Sequence, residues 1–309
     1  MTVGNLASAA DTVEADRQRD WREALAAMAL VGPATALIVV FLIGPLVCIA
    51  LLSLTDYQLG AKALRFVGLA NYAEMFGDRV FRRSLENTLT YVGVVVPLSV
   101  FLGLGAALLI EASASLRGFY RTIFFLPVMA TLIAMAVVWE FVLHPQFGML
   151  NLALNAIGMT GQDWLHDRKI VLFTFCGIGV WQSLGFNMVL FMAGLTSIPR
   201  DLYEAAEVDG AGQAWNRFWT VTWPLLGPVT LFVVVISAIR SFQVFDAIQV
   251  LTKGGPNRAS EVLLYTMYSE GFEYFRSGYA AAVTMVFLAF VLALALFKTW
   301  FLDRRVHYG

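Results

Sequence analysis

EAAEVDGAGQAWNRFWTVTWP, Glu204 to Pro224, is a polar interval between two long apolar runs. It carries the acids Glu204, Glu207 and Asp209, several small residues, three tryptophans and a closing proline. Its setting decides the fold class. The 309-residue chain is 59% hydrophobic and 14% charged, with a mean hydropathy of +0.71, whereas soluble domains carry about 25% charged residues. That many apolar side chains exceed what one soluble core of this size can hide, so lipid must solvate part of the chain.

A helix crosses the hydrocarbon layer with about 20 apolar residues. Six stretches reach that length, at about 25–52, 88–111, 119–143, 170–196, 224–250 and 279–302. They are too continuous for membrane β-strands, which alternate over about ten residues. Their backbone groups must bond internally, so the fold expected is an all-α polytopic membrane protein with six transmembrane helices. Pro97, Pro127 and Pro228 fall inside or near the ends of spans, where kinks are expected. The first run is too long for a signal-peptide core and reads as a retained span. Among the connections, NYAEMFGDRVFRRSLENT reads as a short amphipathic helix on the membrane and FGMLNLALNAIGM as another. LTKGGPNR, from Leu251, is a turn signal.

Net charge is −1, which gives no basic excess for nucleic acid. Cys48 and Cys176 lie in apolar runs and read as buried, inert thiols rather than a disulfide framework. The histidines have no metal-ligand spacing. Counting Arg121 and Lys298 with the span ends they sit near, alternate sides of the six-span topology hold ten Lys and Arg each, and Arg240 lies inside a span. Charge therefore leaves the orientation open, while six spans place both termini on one side.

Within the island, SIPRDLYEAAEVDGAG reads as one short helix. Ser197 is suited to cap it, Pro199 to its first turn, Asp201 to its positive end and Gly210 to a left-handed stop. Helical spacing puts Ala206 and Gly210 on one face, a bare surface that another chain can approach closely. Trp215, Trp219 and Trp223 recur every four residues and form a stripe suited to the membrane–water boundary. The plainer reading is an ordinary capped loop with an aromatic belt.

EAA, then DG, then a helix ending in P-L-L resembles the EAA loop of binding-protein-dependent ABC importer permeases. GLANY (Gly68–Tyr72), FYRTIFFLPVM (Phe119–Met129), AGLTSIPRDLYEAAEVDGA (Ala193–Ala211) and LTKGGP (Leu251–Pro256) resemble the carbohydrate branch, the maltose and glycerol-3-phosphate importers. The likeness runs from about residue 25 to the C-terminus. One departure is a step of fourteen residues from Gly210 to Pro224, one longer than the family pattern.

The resemblance implies a division into a cytoplasmic segment 1–24, a six-helix transmembrane domain 25–303 with a coupling loop at 197–223, and a cytoplasmic tail 304–309. It implies that the EAA loop and both termini face the cytoplasm of a bacterium, in its inner membrane. It implies that Glu204, Ala205, Ala206, Asp209, Gly210 and Ala211 meet a cleft on an ATP-binding cassette ATPase dimer, with ATP and Mg held there. A second homologous permease and an extracytoplasmic solute-binding protein complete the expected assembly. The chain itself has no phosphate-binding G-x-x-x-x-G-K-[ST] motif, and Lys62, Lys169, Lys253 and Lys298 all lie outside such a context, so no ATPase activity is expected of it.

Polar residues inside spans are costly and face a cavity or a neighbouring helix. Gln182, Ser183 and Asn187 in WQSLGFN, and Arg240, Ser241, Gln243 and Asp246 in IRSFQVFD, form a candidate substrate pathway; helix–helix hydrogen bonding is the alternative for each. Flanked by Trp181, Phe242 and Phe245, these amides and hydroxyls suit a sugar. Arg240 has three candidate partners: Asp246, Glu140 or an anionic substrate. A stand-alone secondary transporter or channel is the rival function, and it leaves the EAA helix unexplained. An intramembrane enzyme would need an acid–base or nucleophile constellation within the spans, and none is present.

Overall fold

The structure, a computed structural model, describes residues 27–112 and 116–305. The N-terminal segment 1–24 and the tail beyond Arg305 lie outside the described residues. Helix α1 (Ala27–Leu52) is followed by a loop with one isolated β-bridge, Thr55 to Phe66, and then by the short α2 (Ala70–Gly77). Then come α3 (Arg79–Ala112), α4 (Arg117–Met129) and α5 (Leu132–Val142). The surface helix α6 (Met149–Ala156) leads to α7 (Val171–Thr196) and α8 (Arg200–Val208). Helix α9 (Ala214–Arg217) runs through a π turn (Phe218–Thr222) into α10 (Trp223–Phe242). The chain ends in α11 (Asp246–Leu251), α12 (Leu263–Tyr268) and α13 (Ser277–Arg305).

Five stretches are long and apolar enough to cross a membrane, and the pair α4 and α5 makes a sixth in two pieces. The third span expected at 119–143 is therefore not one helix. It breaks at Ala130–Thr131, where both residues are extended, and its halves meet at 103°. Pro127 cannot donate to the helical ladder, and the helix stops two residues later.

The second span is longer than its apolar run, beginning at Arg79 instead of 88. Asp78 is extended and its Oδ1 accepts a 2.8 Å bond from the Val80 amide, capping α3. The expected amphipathic helix is thereby divided into α2 and the first turns of α3. The hydroxyl of Tyr279 donates to the other Asp78 oxygen at 2.8 Å, tying α3 to α13.

Helix α7 is the central strut, packing on α3, α4 and α10. Apolar surface gains nothing by leaving lipid for another helix, so contact must come from close fit and polar ties. Bare backbone supplies the fit. A Cβ at Gly185 would collide with the Phe124 carbonyl of α4, and one at Gly103 of α3 would lie 2.8 Å from the Asn187 Cβ. Two clusters sit at opposite ends of this strut. Near the island, Leu104, Ala107 and Ile110 of α3 meet Met188, Phe191 and Leu195 of α7 and Val233 of α10. At the other end, Tyr91 and Val95 meet Phe175, Ile178, Ile248 and Val262. Cys176 is buried, but Cys48 is exposed on α1, against the expectation of two buried thiols.

Gly185→Val should separate α4 from α7. Overpacking of this kind costs about 1–3 kcal/mol. The thermal midpoint of the detergent-solubilised protein should fall, whereas the exposed control Gly212→Val should leave it unchanged.

Candidate functional site

The island folds as the sequence suggests, with two corrections. Helix α8 carries Asp201 in its first turn, and it closes on Gly210 at φ +94°. The Ala211 amide bonds the Ala206 carbonyl at 2.8 Å and the Gly210 amide bonds the Glu207 carbonyl at 3.2 Å. This is the paired closure that a left-handed glycine permits. Ser197 does not cap α8; its hydroxyl donates back to the Gly194 carbonyl at 2.7 Å, and Pro199 takes the N-cap position with no side-chain bond.

The second correction concerns which face is bare. Ala206 turns with Tyr203 toward the bundle's own cluster and is half-buried. The outward surface carries Asp201, Glu204, Ala205 and Val208, with Leu202, Asp209 and Gly210 also exposed. It is small and apolar at its centre with carboxylates at its margin. Two ties join it to the span beyond. The Tyr203 and Thr222 hydroxyls lie 3.1 Å apart, and Glu207 meets Arg217 at 4.0 Å. Trp215, Trp219 and Trp223 are exposed, and successive rings pack edge-on at 5.7 and 5.9 Å. An i→i+5 turn holds one residue more than an α turn. The π turn Phe218–Thr222, just before Pro224, can accommodate the one-residue excess of this loop.

The polar residues of the spans divide into two sets. Asn187 is fully buried: its amide donates to the Ser99 hydroxyl at 3.1 Å, and its carbonyl accepts from the Ser237 hydroxyl at 2.9 Å. It ties α3, α7 and α10 together and is not open to a pathway in this structure. Ser241 and Phe242 are buried too, Phe242 stacking on Phe290.

Gln182, Ser183, Arg240, Gln243 and Asp246 are exposed or half-buried, and their side chains make no hydrogen bond to the described residues. Arg240 lies over the Phe186 ring, 4.4 Å from its centroid. No described acid is within ion-pair distance of Arg240, so neither Asp246 nor Glu140 partners it here. Phe186 has no polar atom to mark it in the sequence, and it emerges only from this contact.

The fifth span is interrupted three residues after Arg240. Helix α10 stops at Phe242, the Gln243 and Val244 amides bond only three residues back, and Phe245 has φ −151° and ψ −58°. Broken helices within membranes occur where the backbone is buried in protein or lines a cavity. Beside the break, a cavity of about 460 Å³ is lined by Phe245, Tyr268, Phe272 and residues of α1 and α13.

The segment opening with LTKGGPNR is more than a turn. Gly254 adopts φ +78°. Asn87 of α3 donates to the Arg258 and Glu261 carbonyls at 3.2 and 2.8 Å, while the Thr88 hydroxyl accepts the Leu263 amide at 2.9 Å. Thus residues 252–276 form a cap on the end of the bundle opposite the island. Within it, Glu261 accepts from Thr266 at 3.1 Å and faces Arg258 at 3.5 Å; Arg276 bridges Glu270 and Glu74. Burial raises both the Glu261 and Glu270 carboxyls above the ordinary glutamate range, against the lowering pull of Arg258 and Arg276. Sequence reading missed this cluster, because its charges are scattered over Glu74, Asp78, Glu261, Glu270 and Arg276.

A polytopic helical bundle with an exposed acid-rimmed helix at one end and a broken span is the architecture of an integral membrane protein built to engage something other than lipid. Residues 96–308 match the family described as binding-protein-dependent transport system inner membrane component, and the chain belongs to that family. It is similar to the sn-glycerol-3-phosphate transport system permease protein UgpA of Agrobacterium fabrum, with 32% identity over 91% of this chain and 95% of that one. It is also similar to the sulfoquinovosyl glycerol transport system permease protein SmoG of the same organism, with 30% identity over 88% of this chain and 89% of the relative. Among solved structures it resembles a chain of a bacterial ABC transporter involved in import of the acidic polysaccharide alginate, with a TM-score of 0.80 and 25% identity over 96% and 100% of the two chains.

Asn187→Ala leaves Ser99 and Ser237 without their shared partner, at a cost of about 1–2 kcal/mol. A lowered thermal midpoint of the detergent-solubilised protein is expected; an unchanged midpoint would contradict the structural role. For the cap, the folded chain holds the Glu261 and Glu270 protons more tightly than the unfolded chain. Stability is therefore full below the ordinary glutamate pKa of about 4.3 and declines as pH rises through the raised folded values. Glu261→Gln should raise the midpoint at neutral pH and flatten its rise on acidification. A variant that melts like wild type at every pH would remove this assignment.

Proposed function

We propose that this chain forms one half of the translocation path of an ATP-driven importer for a sugar, polyol or sugar derivative. The observation that carries the reading is the exposed face of α8. Lipid has no use for a surface of Ala205 and Val208 rimmed by Glu204, Asp201 and Asp209, whereas a cleft on a separate motor subunit can hold it. The ties to α9 and α10 through Arg217 and Thr222 would carry a push on that face into the fifth span.

An ATP-binding cassette dimer bearing ATP and Mg would grip this helix on the cytoplasmic side, which places both chain termini there. Closure of that dimer would favour the outward-open arrangement of the spans, and its release the inward-open one. Work enters as a difference in binding between two states. A second homologous permease would supply the other wall of the path, and an extracytoplasmic solute-binding protein would deliver cargo to the opposite end, where the 252–276 cap lies. The similarity to permeases named for glycerol-3-phosphate and sulfoquinovosyl glycerol transport supports a small polyhydroxylated cargo. Gln182, Ser183 and Gln243 offer it hydrogen bonds, and Phe186 and Phe245 offer apolar ring faces.

Glu204→Lys reverses a charge at the gripped face without touching the bundle. Uptake by the assembled importer should fall at least about tenfold, since an opposed charge in a docked interface costs several kcal/mol. Insertion into the membrane should be normal. Gly210→Trp, which cannot hold φ +94° without strain, should act likewise. Wild-type uptake by both variants, or uptake in cells lacking the ATPase subunit, would refute the coupling role.

A further inference from the structure

We propose that the cargo carries an anionic group, a carboxylate, sulfonate or phosphate, and that Arg240 is the residue that neutralises it. This deepens, and rests on, the importer reading above. Between Phe218 and Thr252 the chain has no other Lys or Arg, so one guanidinium stands alone in the fifth span. A cation within a membrane span costs a few kcal/mol unless it is paired or wet, and Arg240, in the last turn of α10, is exposed.

The structure gives Arg240 an aromatic ring and no acceptor. Its guanidinium carbon lies 4.4 Å from the centroid of Phe186, a contact worth about 0.5–2 kcal/mol. That contact fixes the group but leaves its N–H donors without a hydrogen bond among the described residues. Asp246 lies in the first turn of α11 and Glu140 on α5, yet neither reaches it. A planar donor fork held on a ring, with no acceptor among the described residues, matches the bidentate geometry of a planar or tetrahedral oxyanion.

Its neighbours fit the remainder of such a molecule. Ser183 and Gln182 stand three and four residues before Phe186 on the same face of α7, and Gln243 stands three residues after Arg240 at the helix break. Two neutral amides and a hydroxyl are thus carried on the elements that bear the cation and its ring, as hydroxylated cargo with one charged end requires. The last turn of α10 also favours a cation at this position, by the helix dipole.

The test uses cells expressing the complete importer and matched labelled probes: glycerol-3-phosphate against glycerol, and galacturonate against galactose. The charged member of a pair should be taken up in preference. Arg240→Gln should lower its uptake at least about tenfold, the scale of one lost charge-assisted pair. Arg240→Lys should recover part of it, and ATPase co-purification should stay intact in both. Preferred uptake of the neutral members, or undiminished charged uptake in Arg240→Gln, would overturn the proposal. So would loss of the second permease from purified Arg240→Gln complexes, since Arg240 would then be pairing across the subunit interface. The importer reading fails separately, by uptake that persists in Glu204→Lys and without the ATPase subunit.

Discussion

The close approach of backbone along α7 is the constraint on which the rest of the bundle depends. In water, helices associate because apolar surface leaves solvent; in lipid that drive is absent. Here Gly185 admits the α4 backbone and Gly103 admits α7, and at the second crossing the Asn187 amide binds Ser99 and Ser237. One polar tie therefore lies where three helices come nearest, and it fixes their register. With α3, α7 and α10 so fixed, the island hangs from one end of a stiff unit and the 252–276 cap closes the other.

The same frame explains how polar side chains in the spans acquire different roles. Asn187 is spent on structure, because the α3 approach at Gly103 seals it from any opening. Elsewhere on α7 and α10, Gln182, Ser183, Arg240 and Gln243 are exposed or half-buried and make no side-chain hydrogen bond to the described residues, Gln243 at the helix break itself. An interruption at 243–245 is tolerable only where something other than lipid meets the loosened backbone. The ring-held guanidinium and the break lie within three residues of each other at the end of α10. Force from the α8 face would reach it through α9 and α10.

The sequence made the class of fold and the nature of the island legible, because both are local. Apolar run length is read against bilayer thickness, and the α8 stop is written in Gly210. Errors arose where local signals were overridden. Asp78 extends α3 by nine residues beyond its apolar stretch, a capping signal visible in Gly77–Asp78 but outweighed by hydropathy. The third span looked continuous because composition does not register that α4 ends two residues beyond Pro127. Small size alone does not say which side a helix turns inward, and Ala206 packs against the bundle's own cluster.

By itself, then, the sequence determined that the chain is a helical membrane protein of six apolar stretches with a projecting, acid-rimmed helix. Hydropathy, helix stops and charge act within a few residues and need no partner to be read. Only the tertiary structure decided that Asn187 is a tie and Arg240 is not, that Phe186 lies beneath the guanidinium, and that Glu261 and Glu270 sit buried in one cap. These depend on which helices touch and at what separation. Pairwise distance between segments 50 or more residues apart, such as Asn187 and Ser237, is set by packing and leaves no mark in composition or period.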